Sequence, residues 1–171
     1  MFNEKELTRH IKNHLVDFVK SSILQSLASE HRASQLRKGK LAPPMSTGFD
    51  YTCIVRAANK IIFRNAKIEH KATHTALHGG TTFRIRSFQK KRLIANFIEI
   101  VDTVNGRLSF IPSKVFFRFI GTDEEFIWST RYEAHSRANT RIGKATRLFL
   151  KHEQIYCNIT EKFYYKKDID Q

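Results

Sequence analysis

At the start of the chain apolar residues recur at helical steps. Leu7, Ile11, Leu15 and Phe18 stand three or four apart, and neither Gly nor Pro interrupts, so the pattern predicts a helix over 4–36. The stretch "RKGKLAPPMSTG", 37–48, reads as a loop. From 49 the period becomes two: Phe49, Tyr51, Cys53 and Val55 take one face of a strand, Asp50 and Thr52 the other. Residues 58–72 predict one or two more strands, and 81–89 another. The nearly continuous apolar run 92–102 predicts a strand covered on both faces.

Asn105-Gly106 is a two-residue hairpin signal, with "RLSFIP" returning as the partner strand. Ser113 is placed to cap a short helix, 114–120, before an acidic turn and the apolar "FIWS". Residues 131–154 read as a last helix. Its Ala138, Ile142, Ala145 and Phe149 share one arc, and Arg137, Arg141, Lys144, Arg147 and Lys151 another. Gly143 weakens that helix by about 1 kcal/mol relative to Ala. The tail, "ITEKFYYKKDIDQ", adds an edge strand. The expected fold is one α/β domain over 1–171, a mixed central β-sheet flanked by helices. Its parts are the helix 4–36, a sheet core 49–120 and a basic helical region 131–154.

Charge adds a partner to this frame. Thirty Lys and Arg against 16 Asp and Glu leave a net charge of +14. Such self-repulsion points to a polyanion, nucleic acid first, with acidic proteins and acidic membrane surfaces as alternatives. Arg84, Arg86, Lys90, Lys91 and Arg92 run without an intervening acid, and with the last helix they are placed to grip phosphates from two sides. A solvated charge face explains one such cluster more easily than both. Cys53 and Cys157 form no CxxC pair and read as buried thiols of a reducing compartment. The N-terminal stretch lacks the apolar core of a signal peptide, and no apolar run is long enough for a membrane span, so the expectation is a soluble cytoplasmic protein.

Strand alternation puts Glu69 and Lys71 on one face, with Ile68 and His70 on the other. A carboxylate and an ammonium so placed can share a ligand: the first holds a divalent cation, the second orients a water or a phosphate. Asp50 can add a second carboxylate from the neighbouring strand, and the His70 backbone carbonyl a further oxygen. Spacing alone is weak, because composition gives about one or two Glu-x-Lys or Asp-x-Lys pairs by chance. The plain alternative is an exposed strand with a charge pair.

Asp50 closing "GFD", "IEHK" at 68–71 and the basic stretch after it follow in an order that resembles the PD-(D/E)XK nuclease superfamily, which includes many type II restriction enzymes. The resemblance covers roughly residues 4–120, with Phe49 where the family pattern has Pro. It implies a restriction-endonuclease-like αβββαβ core and a metal-dependent endonuclease acting on DNA as a homodimer. Asp50 and Glu69 would hold Mg²⁺ or Mn²⁺, Lys71 would act on the attacking water, and Gln89 would support the site. Glu30 is placed as the acid that family members often add from the first helix.

Other residues stay open. His70, His74 and His78 are four apart, which on a helix suits zinc, but Thr73, Thr75 and Gly79-Gly80 favour a loop that touches DNA. Glu99 is either satisfied by an Arg or part of the site, with the structural role favoured. Tyr132 and Phe83 are core residues or base-stacking rings. Two other functions compete with the nuclease: a non-catalytic DNA- or RNA-binding module, and an inhibitor that engages an acidic partner.

Overall fold

The computed structural model describes residues 22–43, 48–57, 60–73, 80–84, 94–103, 105–129 and 131–170; of 22–28, 73 and 80–84 it describes the backbone alone. Helix α1 (Ser22–Leu36) leads through the short β1 (Lys40–Leu41) into β2 (Tyr51–Ala57) and β3 (Lys60–Thr73). β4 (Gly80–Arg84), β5 (Phe97–Asp102), β6 (Arg107–Pro112), α2 (Ser113–Ile120) and β7 (Glu125–Ser129) follow. Then come α3 (Tyr132–His135), α4 (Arg141–Lys151), β8 (Glu153–Cys157), β9 (Lys162–Tyr165) and α5 (Lys166–Ile169).

Seven strands form one mixed sheet in the order β1-β2-β3-β5-β6-β8-β9, while β4 and β7 pair separately. β3 and β5 are parallel, and the other neighbours in the large sheet are antiparallel. The expected α/β architecture with a mixed sheet is therefore present. Among the described residues no helix is long and apolar enough to cross a membrane.

Alternation divides the core into two layers. Ala66 and Ile68 of β3 join Phe97 and Val101 of β5 on the face covered by Ala33 and Leu36 of α1. Ile98 and Ile100 face the other way, into an aromatic layer with Phe116, Phe126, Trp128 and Phe149. β5 is thus buried along its whole length, as its continuous apolar run predicts. Cys53 and Cys157 are buried free thiols, and burial pushes the Cys53 thiol up to about 11, which keeps it unreactive.

Several boundaries differ from the pattern reading. The described helix covers only the later part of 4–36, and part of the expected loop 37–48 pairs as β1. Residues 60–73 form one continuous strand. The β5–β6 turn spans 103–106, not two residues, with Asp102 paired to Arg107 across it. The Asp102 carboxylate accepts from the backbone N–H and side-chain amide of Asn105, and this side-chain turn holds the longer loop. Ser113 lies inside α2 and makes no cap; its hydroxyl donates to the Ala95 carbonyl.

The helix expected over 131–154 is broken. Thr140 is extended (φ −116°, ψ 166°) and starts α4 by accepting from the Gly143 N–H. Arg147 closes the loop by donating to the carbonyls of Ser136 and Ala138. A Cβ on Gly143 would run into the Ala138 carbonyl oxygen, so this glycine lets the preceding chain fold back onto the helix. The chain then leaves α4 for β8, whose polar start is satisfied by distant partners: Arg107 donates twice to Glu153, at 2.7 and 2.8 Å. Gly143→Ala is expected to lower stability by about 1–3 kcal/mol, by overpacking. A lower urea midpoint with unchanged denaturant slope checks it.

Candidate active site

Antiparallel pairing of Tyr51 with Ile68 and Thr52 with Lys67 sets the register that brings the start of β2 against the middle of β3. The Asp50 N–H donates to the Ile68 carbonyl at 2.7 Å, and the His70 N–H donates to Asp50 Oδ2 at 2.6 Å. The Asp50 carboxylate is thereby fixed beside the Glu-His-Lys segment. In a strand a residue's N–H and C=O point to the same edge. The His70 carbonyl is thus directed toward the edge that Asp50 occupies.

Register with β5, Glu69 to Ile98 and Lys71 to Ile100, places Glu69 and Lys71 on the side of the aromatic layer, where α4 also packs. Lys71 Nζ lies 2.7 Å from Glu69 Oε1, with both side chains partly accessible. Glu30 approaches from α1. Burial and the charges of Asp50 and Glu69 push its carboxyl up to about 7, against the pull of His70 and Lys71. Burial also raises the Glu69 carboxyl; Lys71 opposes this and Asp50 adds to it. Asp50, Glu69, Lys71 and Glu30 therefore form one charge cluster, assembled from α1, the entry to β2, and β3.

Behind it lies a buried network. His70 Nδ1 is 2.7 Å from Glu99 Oε1; a carboxylate only accepts, so Nδ1 carries the proton. His70 Nε2 meets Ser29 Oγ at 2.8 Å. Glu99 also accepts from the Tyr51 hydroxyl at 2.8 Å and from Arg37 Nε at 2.6 Å. Burial pushes the Glu99 carboxyl up, but Arg37 and His70 outweigh it and hold it at about 2. Glu99 is thus the structural carboxylate satisfied by an Arg. Spacing marks the His70 side chain only as one of three histidines four apart; its partnership with Ser29 and Glu99 has no local sign, since both are distant in the chain.

Arg84 lies in β4 with Glu125 as its register partner. Gln89, Arg86, Lys90, Lys91 and Arg92, with His74 and His78, lie outside the described residues. Arg137, Arg141, Lys144, Arg147 and Lys151 are exposed, but Arg137 lies in the turn before α4, and Ile142, expected on the packing arc, is 41% exposed. Two of these cations have structural work: Arg147 closes the α3–α4 loop, and Arg141 is ion-paired with Asp123. Tyr132 is 4% exposed and donates to Asp102, so it belongs to the core and offers no ring to a base. Phe83 lies in β4, described by its backbone alone.

Among the described residues no three His, Cys, Asp or Glu side chains stand together as a ready metal cage. The donor chemistry nevertheless suits a hard cation. Mg²⁺ is commonly held by one or two carboxylates with waters and substrate phosphates, and Asp50 and Glu69 supply such oxygens. Comparison with protein-family models, curated proteins and solved structures returns no match.

Two stability effects follow. Glu99→Ala leaves Arg37 buried and unpaired and is expected to cost about 3–5 kcal/mol, read by denaturant unfolding. Because the folded carboxyl lies below its ordinary 4.5, the contribution of Glu99 is full above that pH and is lost as pH falls toward 2. Glu30 has the opposite sign. Its folded carboxyl lies above 4.5, so the fold binds the extra proton and stability declines as pH rises from about 4.5 to about 7. Glu30→Gln is expected to flatten that decline, raising the melting temperature at pH 8 more than at pH 4.5.

Proposed function

We propose that the protein is a metal-dependent endodeoxyribonuclease that hydrolyses DNA phosphodiester bonds, built on a restriction-endonuclease-like core. One observation carries the reading: Asp50, held by the His70 N–H, sits beside Glu69, Lys71 and Glu30, where burial, with neighbouring carboxylates adding to it, pushes the carboxyls of Glu30 and Glu69 up. Neighbouring carboxylates that raise one another are relieved by a cation. Asp50 and Glu69, with the His70 carbonyl, would hold Mg²⁺ or Mn²⁺. When bound, the metal supplies charge neutralisation at the phosphate and a more acidic water.

Asp50 and Glu69 supply the anionic oxygens. Lys71, held beside Glu69, directs its ammonium toward the reacting phosphate or the water. Gln89 is assigned a supporting role. The exposed cations of α4 lie on the same side of the sheet as Glu69 and Lys71 and offer phosphate contacts. A homodimer would bring two such sites to the two strands of a duplex.

The second reading is a non-catalytic nucleic-acid-binding protein, of DNA or RNA. It is favoured by the Glu69–Lys71 ion pair, which satisfies both side chains without a metal. Supercoiled plasmid separates the two. The nuclease reading expects nicking or linearisation with Mg²⁺ or Mn²⁺, none with a chelator, and at least about a hundredfold loss in Glu69→Ala and Lys71→Ala. Those variants should still bind DNA. Binding of plasmid and RNA without metal-dependent cutting would leave the second reading standing. Linear product formed without a nicked intermediate marks paired action on both strands.

A further inference from the structure

The β2–β3 hairpin runs on past the strands that flank its base, with Ile54, Val55 and Arg56 of β2 also lining a cavity with Leu36 and Phe163. β1 pairs only with Tyr51 and Thr52, and β5 pairs with β3 only from Ile68 onward. Between these limits, from the Cys53–Ala66 pair to the Ala57–Lys60 pair, the two strands pair with each other alone. Among the described residues the result is a two-stranded ribbon with neither outer edge covered by another strand. Its register shifts twice, between Cys53 and Val55 and between Val55 and Arg56. Such bulges increase the local twist.

The side chains of this ribbon are unusual for a surface hairpin. Arg56, Lys60 and Arg64 are exposed, and no Asp or Glu occurs anywhere in 51–68. Ile54 is 50% and Ile62 52% exposed. Uncovered strand edges are usually protected against pairing by charge, and here every charge has one sign. Cations interleaved with exposed aliphatic groups on a narrow, twisted ribbon match a groove walled by phosphates. The major groove of B-DNA, about 12 Å wide, admits a two-stranded β-ribbon.

We infer that the β2–β3 ribbon is a duplex-DNA-binding arm that enters the major groove, with Arg56, Lys60 and Arg64 on the flanking phosphates and Ile54 and Ile62 against the groove. The inference rests on the proposed action on DNA and adds a surface by which the duplex is held. Arg64 is five residues and Lys60 nine residues from Glu69 along β3, about 17 and 30 Å at about 3.3 Å per residue. At about 3.4 Å per base pair the arm reaches roughly five to nine base pairs from the reacting phosphate. Since the arm and Glu69 belong to one strand, that offset is set by the fold.

The test is fluorescence anisotropy with a labelled 30-base-pair duplex from 50 to 300 mM KCl, using the full chain. Parent protein is compared with Arg56→Gln/Lys60→Gln/Arg64→Gln and with Lys114→Gln/Arg118→Gln/Lys167→Gln, which removes equal charge from exposed positions away from the arm. The arm variant is expected to bind at least about tenfold more weakly at 100 mM salt, with a log–log salt slope smaller by about 2.7. The control is expected to change that slope by less than about one. Arg64→Gln alone, reducing the slope by about 0.9, serves if the triple variant does not fold.

An arm variant that binds like the parent overturns the arm while leaving the nuclease reading intact. A control that loses as much shows net charge alone and also overturns it. A parent that binds no duplex at 50 mM KCl overturns the proposed function together with the arm. Parent binding to anionic vesicles in place of duplex does the same.

Discussion

The buried ion pair between Arg37 and Glu99 is the constraint on which the architecture turns. Their side chains are 7% and 0% exposed, so neither charge is solvated. A buried charge without full partners costs several kcal/mol, and the fold answers with complete satisfaction. Glu99 accepts from Arg37, Tyr51 and His70. Arg37 also donates to Gln154, and its flat guanidinium lies 3.9 Å from the ring centres of both Phe110 and Phe163. The end of α1 is joined in this way to β2, β3, β5, β6, β8 and β9. A one-residue slip of any contributing strand would turn its partner to the opposite face and strand a charge.

The two faces of β3 divide the labour. His70 faces the α1 side and is held at both ring nitrogens, while Glu69 and Lys71, its chain neighbours, face the side of the aromatic layer. Rigidity on the buried side therefore becomes positional precision on the other, as a functional constellation requires. The same segment concentrates unfavourable charge, since burial, with the charge of Asp50 adding to it, raises the carboxyls of Glu30 and Glu69. Stability is sacrificed locally and restored by the network behind it, a pattern expected where a site departs from the rules of a well-behaved surface.

What could be read from residues alone followed the range of the interactions involved. β5 was legible because a strand buried on both faces needs no polar alternation. The pairing of Asp50 with the Glu-His-Lys segment was legible because β2 and β3 are consecutive and alternate regularly. β8 was not: its Glu153 and Gln154 resemble the end of a basic helix until Arg107 and Arg37 arrive from 46 and 117 residues away. The break between α3 and α4 carried a local sign, Thr140 three residues before Gly143, which the long basic periodicity outweighed. The role of His70 depends on Ser29 and Glu99, and no spacing within β3 announces either.

The stacking of Phe163 on Arg37 has a consequence for the order of events in synthesis. The guanidinium is made well before one of its two aromatic walls, Phe163 of β9, which follows it by 126 residues. A nascent chain can hold the first hairpin, but it cannot close the cage around its central cation until β9 has been made. Non-local closure of this kind slows folding. It also means that Glu69, on the far side of β3, gains its rigid backing only once β9 is in place.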